Sequence, residues 1–445
     1  MQGNAAGGGH RAVSPRRGAA AAKARRDCAE IPCCPADRPV QQGIAALSRR
    51  LRRILCLQRG RQRRRRWGLV RASQSAGRYR RASAALPLGA RGMTSLEHAL
   101  KADVEALAIA DGRLVGTAGH EIARRYLLGR LAEIGLKPYR GDSFDLPYTH
   151  GYEFHNLVGM VRGLTSGTAP VLVGAHYDSA LDAPCADDNA AAVAIALAAA
   201  ERLLAAPPAR DVIVALFDAE EAPFYWSDDM GSVRFYHDHR PPTGFHAAVV
   251  MDLVGHDVSL PLPVSGPACE RIANLLFMTG AESHPRLSEL VRRTPRPADL
   301  PLVATLNRNV GKLESMAGES AGEHRDLSDH YVFRTHGVPY LFLSCGQWAH
   351  YHQPTDTPDR LNYVKMARIC EFLPALIRSL AEEELPRADG PAGIEVDTTA
   401  LEIELLHEAF GPALPLVQQV VGLPRLATRG DLDTLARRVQ RFFWE

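Results

Sequence analysis

Histidines and acidic residues recur directly after apolar segments of this chain. His176 and Asp178 follow one such segment, and Glu220 and Glu221 follow a second. The remaining groups of this kind are Asp187, Asp188 and Asn189 before an alanine-rich segment, Asp252 after a third apolar run, and Tyr351 and His352 beyond a fourth. Imidazole and carboxylate groups in this combination suit zinc, with manganese or cobalt as alternatives.

Each group alone has an ordinary structural explanation. An Asp-Asp-Asn sequence before a helix commonly caps the helix, and a pair of glutamates is commonly solvated. The joint occurrence of the groups after successive apolar segments favours a shared chemical role. Many carboxylates in one cavity would repel one another and be costly to desolvate unless divalent cations bind between them. The set exceeds the needs of one tetrahedral zinc, so two metals that share a carboxylate would use it fully.

Short apolar runs alternate with helical patterns from residue 93 onward, which predicts alternating strands and helices. The predicted strands cover residues 156–161, 171–175, 212–217, 247–251 and 338–343. One predicted helix begins at Ser95, and the others cover residues 120–134, 189–204, 230–237 and 364–383. Unbroken apolar strands between helices indicate an α/β fold with a mixed, mainly parallel central sheet flanked by helices on both faces.

The fold class predicts where the polar groups lie. In open α/β sheets, ligands bind beyond the carboxyl ends of the strands. Because the histidines and acids follow those ends, we expect them to converge in one acidic cavity.

Two regions depart from the alternation of strands and helices. Residues 282–325 are rich in Pro, Arg and Gly, and we expect them to form a long excursion over one rim. Residues 388–445 contain predicted helices at 399–410 and 431–443 and are interpreted as a small helical C-terminal appendage. The domain that carries the site is therefore predicted to span residues 93–387.

The basic charge of the chain is concentrated in residues 1–92. This segment holds 22 Lys and Arg against three acidic residues, a net charge of +19, whereas the other 31 basic and 47 acidic residues give −16. Without a sustained hydrophobic period it cannot bury enough apolar surface to fold, so disorder is predicted. A nucleic-acid- or membrane-binding arm and a targeting peptide are alternatives, as is a segment that is not genuine protein, with Met93 as the true start. Nucleic acid is not an expected partner of the folded domain.

The sequence also contains features that indicate where in the cell the protein is located. No stretch reaches the roughly 20 apolar residues that a membrane-spanning helix needs. The four cysteines after Met93 form no Cys-x-x-Cys pair, and we expect reduced thiols. No export signal is recognisable, so the predicted location is the cytoplasm, with secretion as the alternative.

The order of these residues resembles the M28 family of zinc aminopeptidases, which use two co-catalytic metals and to which glutaminyl cyclases are related. The resemblance covers about residues 96–385. It rests on His176-x-Asp178, Asp187-Asp188-Asn189, Glu220-Glu221, Asp252 and His352, with auxiliary similarity at Met230-Gly231-Ser232, Ser328-Asp329-His330 and Asp356-Thr357. It implies a zinc-exopeptidase fold of the phosphorylase/hydrolase-like type, two zinc ions per chain and a peptide substrate.

Carried over residue by residue, the resemblance assigns the metal ligands. Asp188 would bridge the two metals. His176 and Asp252 would complete one site, and Glu221 and His352 would complete the other.

The resemblance also assigns three further roles. Glu220 would be the general base that takes a proton from water and returns it to the leaving amine. Asp178 would orient the imidazole of His176. Tyr351 would donate a hydrogen bond to the substrate carbonyl oxygen as charge develops there.

Two local expectations follow near these residues. The resemblance implies a cis peptide bond between Asp188 and Asn189. The loop after Glu221 departs from the family pattern and contains three adjacent aromatic residues, Phe224, Tyr225 and Trp226. These aromatic side chains either line a pocket for a substrate side chain or pack beneath the loop.

The predicted function is that of a metal-dependent aminopeptidase, which removes N-terminal residues from peptides. Alternatives within the same fold are a glutaminyl-cyclase-like acyltransferase with one zinc, a carboxypeptidase and a deacylase. A binding module that has lost its metals is disfavoured, because Glu220 and all five ligand positions are present.

Overall fold

The computed structural model describes residues 93–260, 262, 265–310, 326, 328–386 and 395–444. The predictions for residues 1–92 and for residues 311–325 lie outside the described residues.

Nine strands of the described chain form one sheet, in the order β1-β3-β5-β4-β6-β9-β7-β8, with β2 paired to β3. The neighbours β5, β4, β6 and β9 are parallel, whereas β3 is antiparallel to β5 on one side of this group and β7 is antiparallel to β9 on the other. The predicted mixed sheet with a parallel centre is therefore confirmed. The strands are β1 Lys137–Pro138, β2 Asp145–Thr149, β3 Glu153–Val161, β4 Val171–His176, β5 Val212–Phe217, β6 Ala247–Met251, β7 Leu276–Thr279, β8 Leu302–Ala304 and β9 Tyr340–Ser344.

The helices begin and end where the sequence provides the usual signals. Before the first helix, the Thr94 hydroxyl accepts a hydrogen bond from the Glu97 N–H (3.2 Å), and the Glu97 carboxylate accepts one from the Thr94 N–H (3.0 Å). The second helix ends at Gly135 with φ +86°. The helices are α1 Ser95–Leu107, α2 Ala118–Ile134, α3 Ala191–Ala205, α4 Gly231–His239, α5 Pro267–Ala273, α6 Leu287–Arg293, α7 Asn307–Val310, α8 His330–Thr335, α9 Tyr363–Glu382, α10 Thr399–Phe410, α11 Leu414–Val420 and α12 Arg429–Trp444.

Both faces of the sheet are covered by apolar side chains. Along β4, Val171 and Val173 pack in one core with α1, α3 and α9, whereas Leu172 packs in the other core with α4 and α8. All six residues of β4 are buried. This double covering explains why the central strands are unbroken apolar runs and not alternating ones.

The region between β6 and β9 differs from the prediction. Part of the expected excursion is ordered structure: β8 pairs in parallel with β7, and β7 pairs with β9, so both strands extend the sheet. The helices α6 and α7 also lie in this region. The strands contain only four and three residues, and such short runs have no readable period.

The helices after residue 395 join the main apolar core. Leu401 and Leu405 of α10 belong to the same buried cluster as Leu302 of β8 and Leu276 of β7. The helical content predicted for this region is present, and α10 and α12 lie close to the predicted ranges. Its status as a separate appendage stays a prediction.

No helix in the described ranges is both long and apolar enough to cross a membrane. The four described cysteines are free: Cys269 is exposed, and Cys185, Cys345 and Cys370 are buried.

Gly231 is closely packed against the backbone that directly follows β5. Its N–H donates a hydrogen bond to the Asp218 carbonyl oxygen at 2.8 Å. A Cβ atom at this position would lie 2.1 Å from the Asp218 oxygen and 2.6 Å from Asn156 Oδ1. We therefore expect Gly231→Ala to lower the free energy of unfolding by about 1–3 kcal/mol through overpacking.

Urea denaturation of the Gly231→Ala variant measures this loss. Gly129→Ala is the matched control, because Gly129 lies on the exposed side of α2 with no atom near its Cβ position. The control should gain about 0.5–1 kcal/mol from the better helix propensity of alanine. Equal stabilities for the two variants would show that Gly231 is not closely packed.

Candidate metal centre

The carboxyl ends of the parallel strands carry the predicted site residues. His176 is the last residue of β4, and Asp252 directly follows β6. Glu220 and Glu221 lie in the turn after β5, and His352 lies in the loop after β9. All of these strand ends are at the same edge of the sheet, as expected for neighbouring parallel strands.

Asp188 lies between two groups of potential ligand atoms. His176 Nε2 is 3.4 Å from Asp188 Oδ1 and 3.5 Å from Asp252 Oδ1. On the other side, His352 Nε2 is 3.1 Å from Asp188 Oδ2 and 3.4 Å from Glu221 Oε1. Within each group of three, the ligand atoms lie within 4.8 Å of one another, which is compatible with a metal ion. One oxygen of Asp188 therefore faces each imidazole.

Glu220 lies beside these two groups. Its Oε2 atom is 3.8 Å from His176 Nε2, and it forms a third potential ligand group with His176 and Glu221. The side chain is buried, with 4% of the residue exposed. Its position is suitable for a base next to a metal centre, and also for a ligand.

Asp178 connects the end of β4 to the turn after β5. Its Oδ1 atom lies 3.3 Å from His176 Nδ1, on the side of the ring opposite Nε2. The same carboxylate accepts hydrogen bonds from the N–H groups of Glu220 (3.1 Å) and Glu221 (3.0 Å). The Asp178 carboxylate thus contacts the His176 ring and also holds the backbone that carries both glutamates.

The residues of the centre fit divalent cations. Within the described chain, His176 Nε2, Asp188 Oδ2, Asp252 Oδ1 and His352 Nε2 are buried atoms without a hydrogen-bond partner. Buried polar atoms normally have partners, so the presence of four such atoms within the two groups fits the binding of cations by these residues. Imidazole nitrogens and carboxylate oxygens are donors that suit zinc.

The charges of the centre support the same conclusion. Burial, together with the charge of the neighbouring Asp188, raises the pKa of Glu221 to about 7. Burial also raises the pKa of Asp252. Burial lowers the pKa of His352, but Glu221 and Asp188 more than offset this and raise it to about 11. Burial disfavours the charged form of these carboxylates, and bound cations would stabilise that form.

The turn that carries Asp188 is tied to neighbouring strand ends. It forms one π-helical turn over residues 186–190 that leads into α3. The Asp187 carboxylate accepts hydrogen bonds from the Gly255 N–H (2.6 Å) and His256 Nδ1 (2.5 Å). The peptide bond between Asp188 and Asn189 is cis, so that prediction is confirmed.

Tyr351 lies against the centre, as predicted. Its ring stacks on His352, with the ring centres 3.9 Å apart. Burial raises the pKa of Tyr351 well above its usual value, and the charges of Asp188 and Glu221 raise it further. The hydroxyl therefore keeps its proton and is available as a hydrogen-bond donor.

The aromatic loop after Glu221 is held by packing. The Phe224 ring meets the Phe154 ring edge-on at 5.0 Å and the Tyr152 ring at 5.4 Å. The Tyr225 hydroxyl donates a hydrogen bond to the carbonyl oxygen of Asp326 at 2.6 Å. Of the two alternatives, these contacts favour packing beneath the loop for Phe224 and Tyr225.

Asp329 was named in the sequence only as part of an auxiliary similarity, without a role. It is fully buried, and burial raises the pKa of its carboxyl to about 7, against the lowering effect of His176. Its position beside the centre had no signal in the sequence, because Asp329 precedes a helix and does not follow a strand.

A buried pair beneath the glutamate turn was also missed. His120 Nε2 lies 2.8 Å from Asp218 Oδ1, and the Asp218 carboxylate accepts hydrogen bonds from the N–H groups of Ala219 and His155. Burial lowers the pKa of His120, but Asp218 more than offsets this and raises it. The pair fixes the start of the turn that carries Glu220.

Sequence comparisons identify relatives of this chain. Residues 156–377 match the sequence profile of Peptidase family M28. The uncharacterized protein YfbL of Escherichia coli (strain K12) is 28% identical over 254 residues, which cover 54% of this chain and 74% of that protein.

Solved structures are also similar to this chain. The LapA aminopeptidase of Legionella pneumophila superposes with a TM-score of 0.48 at 16% identity, covering 68% of this chain and 80% of that chain. The glutaminyl cyclase of Porphyromonas gingivalis superposes with a TM-score of 0.48 at 17% identity, covering 65% of this chain and 99% of that chain.

Proposed function

Since the chain belongs to peptidase family M28, we propose that it is a metal-dependent aminopeptidase with two zinc ions per chain. The observation that carries this proposal is the position of Asp188, whose two carboxylate oxygens face two separate imidazoles. A single carboxylate between two such groups is suited to bridge two cations.

The residues divide into two ligand sets around that bridge. His176 and Asp252 would hold one ion, and Glu221 and His352 would hold the other. Bound zinc supplies positive charge that polarises a carbonyl oxygen and lowers the pKa of water toward about 7. Asp178 holds the His176 ring in the orientation that presents Nε2 to the ion.

Glu220 performs the proton transfers. It takes a proton from the attacking water and gives it to the amine nitrogen of the leaving peptide as the C–N bond breaks. Burial raises the pKa of Glu220 well above its usual range; His176 opposes this shift, and Glu221 and Asp252 add to it. Bound cations beside it would favour the ionised form, which is the form that accepts a proton.

Tyr351 assists at the carbonyl. Its protonated hydroxyl donates a hydrogen bond to the carbonyl oxygen as negative charge develops there. Its ring stacks on His352, so the position of the Tyr351 hydroxyl depends on that of a proposed metal ligand.

An assay of the purified full-length chain tests the proposed reaction. We expect release of p-nitroaniline from aminoacyl-p-nitroanilides, its loss with 1,10-phenanthroline and its return with added zinc, because the ligand set requires cations. N-acetylated aminoacyl-p-nitroanilides are the control and should not be cleaved, since an aminopeptidase needs a free α-amine.

The same preparation is incubated with a peptide that begins with glutamine. Release of free glutamine supports the aminopeptidase, whereas formation of pyroglutamate without release of an amino acid would instead show a cyclase. Cleavage from the carboxyl end of the peptide would show a carboxypeptidase.

A further inference from the structure

Arg113 is a fully buried cation whose side-chain hydrogen bonds go to backbone carbonyls. It lies in the segment between α1 and α2, far in sequence from the strand ends. The guanidinium group donates to five carbonyl oxygens at 2.7–3.2 Å: those of Leu107, Tyr177, Pro184, Cys185 and Asp188. Three of these carbonyls belong to the loop and turn that present the Asp188 side chain.

Asp356 binds the N–H groups of the same turn. Its carboxylate accepts hydrogen bonds from the Asp187 N–H (2.9 and 3.1 Å) and the Asp188 N–H (3.2 Å). Asp356 is buried and follows His352 in the loop after β9. It therefore ties the loop of one predicted metal ligand to the turn of another.

The backbone of this turn explains why it needs such partners. Asp188 has φ −110° and ψ 85°, which is not helical, although the turn leads directly into α3. Its N–H and C=O groups are thus outside the regular helical pattern. Buried backbone groups without partners are costly, and charged side chains are strong partners for them. Arg113 supplies the donor for the Asp188 carbonyl, and Asp356 supplies the acceptor for its N–H.

We propose that Arg113 and Asp356 are positioning residues that hold the turn of residues 186–190 from two sides and fix the Asp188 carboxylate where it binds two metal ions. This inference rests on the metal site of the proposed function. Neither residue is itself a predicted ligand. Loss of such outer partners typically weakens metal binding by about 10–100-fold.

The test measures zinc affinity of the full-length chain by competition with a chromophoric chelator. The variants are Arg113→Met and Asp356→Asn, and we expect each to weaken zinc binding by about 10–100-fold at a temperature where it is folded. Arg130→Met and Asp211→Asn are matched controls. Arg130 contacts Asp103 at 2.8 Å, and Asp211 accepts the Gly163 N–H at 2.8 Å at the opposite end of β5 from the centre.

A double-variant cycle separates positioning from general stability. In an Asp188→Asn background there is no carboxylate to position, so adding Arg113→Met or Asp356→Asn should cause little further loss of zinc affinity. An equal loss in both backgrounds would overturn the proposal, and so would unchanged affinity in both single variants. If Arg113→Met does not fold, the Asp356→Asn variant alone tests the proposal by the same criteria.

The readout distinguishes this inference from the proposed reaction. Weaker zinc binding in the variants supports the inference even if the wild-type chain cleaves no aminoacyl substrate. Conversely, a wild-type chain with aminopeptidase activity whose variants bind zinc normally would refute the inference and leave the proposed reaction intact.

Discussion

Replacement of Glu220 by glutamine is expected to lower the turnover number for aminoacyl-p-nitroanilide cleavage by about 10²–10⁴-fold. Glutamine has nearly the same shape as glutamate but cannot accept and return the proton of water. Because Glu220 lies beside the two ligand groups that share Asp188, the zinc content of the variant should equal that of the wild type. Steady-state kinetics and elemental analysis of the same preparation measure both quantities.

The zinc content decides between the two roles that the position of Glu220 allows. Loss of one zinc together with activity would show that Glu220 is a ligand, in the third group with His176 and Glu221. Normal turnover would show that it is not the base. Glu133→Gln is the matched control, because the Glu133 side chain is 71% exposed on α2 and should tolerate the change.

Replacement of Asp188 by asparagine is expected to abolish the shared site. Asparagine keeps one carbonyl oxygen and replaces the other with an amide nitrogen, which does not bind a cation. Since Asp188 Oδ1 faces His176 and Oδ2 faces His352, only one side keeps its ligand. We expect zinc content to fall from two ions to one or fewer, and the affinity of at least one site to fall by more than about 100-fold, beyond the range for outer partners.

Elemental analysis after dialysis against a defined free zinc concentration measures this change. Asp182→Asn is the control, because Asp182 lies in the same loop and is exposed. Full zinc content and full activity in Asp188→Asn would mean that the Asp188 carboxylate does not bridge two metal ions.

The sequence was sufficient to predict the centre of the fold. The strands β4, β5 and β6 are buried on both faces, so each is a continuous apolar run that is readable without its neighbours. The position of a ligand directly after a strand is also local information. Parallel pairing then brings distant ligands together, which is why their convergence could be predicted, whereas their division into two ligand groups came from the family resemblance.

The supports of the site could not be predicted in the same way. Arg113 acts through carbonyls up to 75 residues away in sequence, and no local pattern marks a residue whose partners are backbone atoms. Asp356 could be noted as part of a similarity, but its contact with the Asp188 N–H depends on the path of the loop after β9. The strands β7 and β8 were missed because they are too short to show a period.

The most direct test of the two-metal centre is anomalous diffraction at the zinc absorption edge from crystals of the zinc-loaded full-length chain. We expect two peaks roughly 3.5–4 Å apart, with one Asp188 oxygen toward each and the imidazoles of His176 and His352 on opposite sides. A single peak, or two peaks with no Asp188 oxygen between them, would show that Asp188 does not bridge two metal ions.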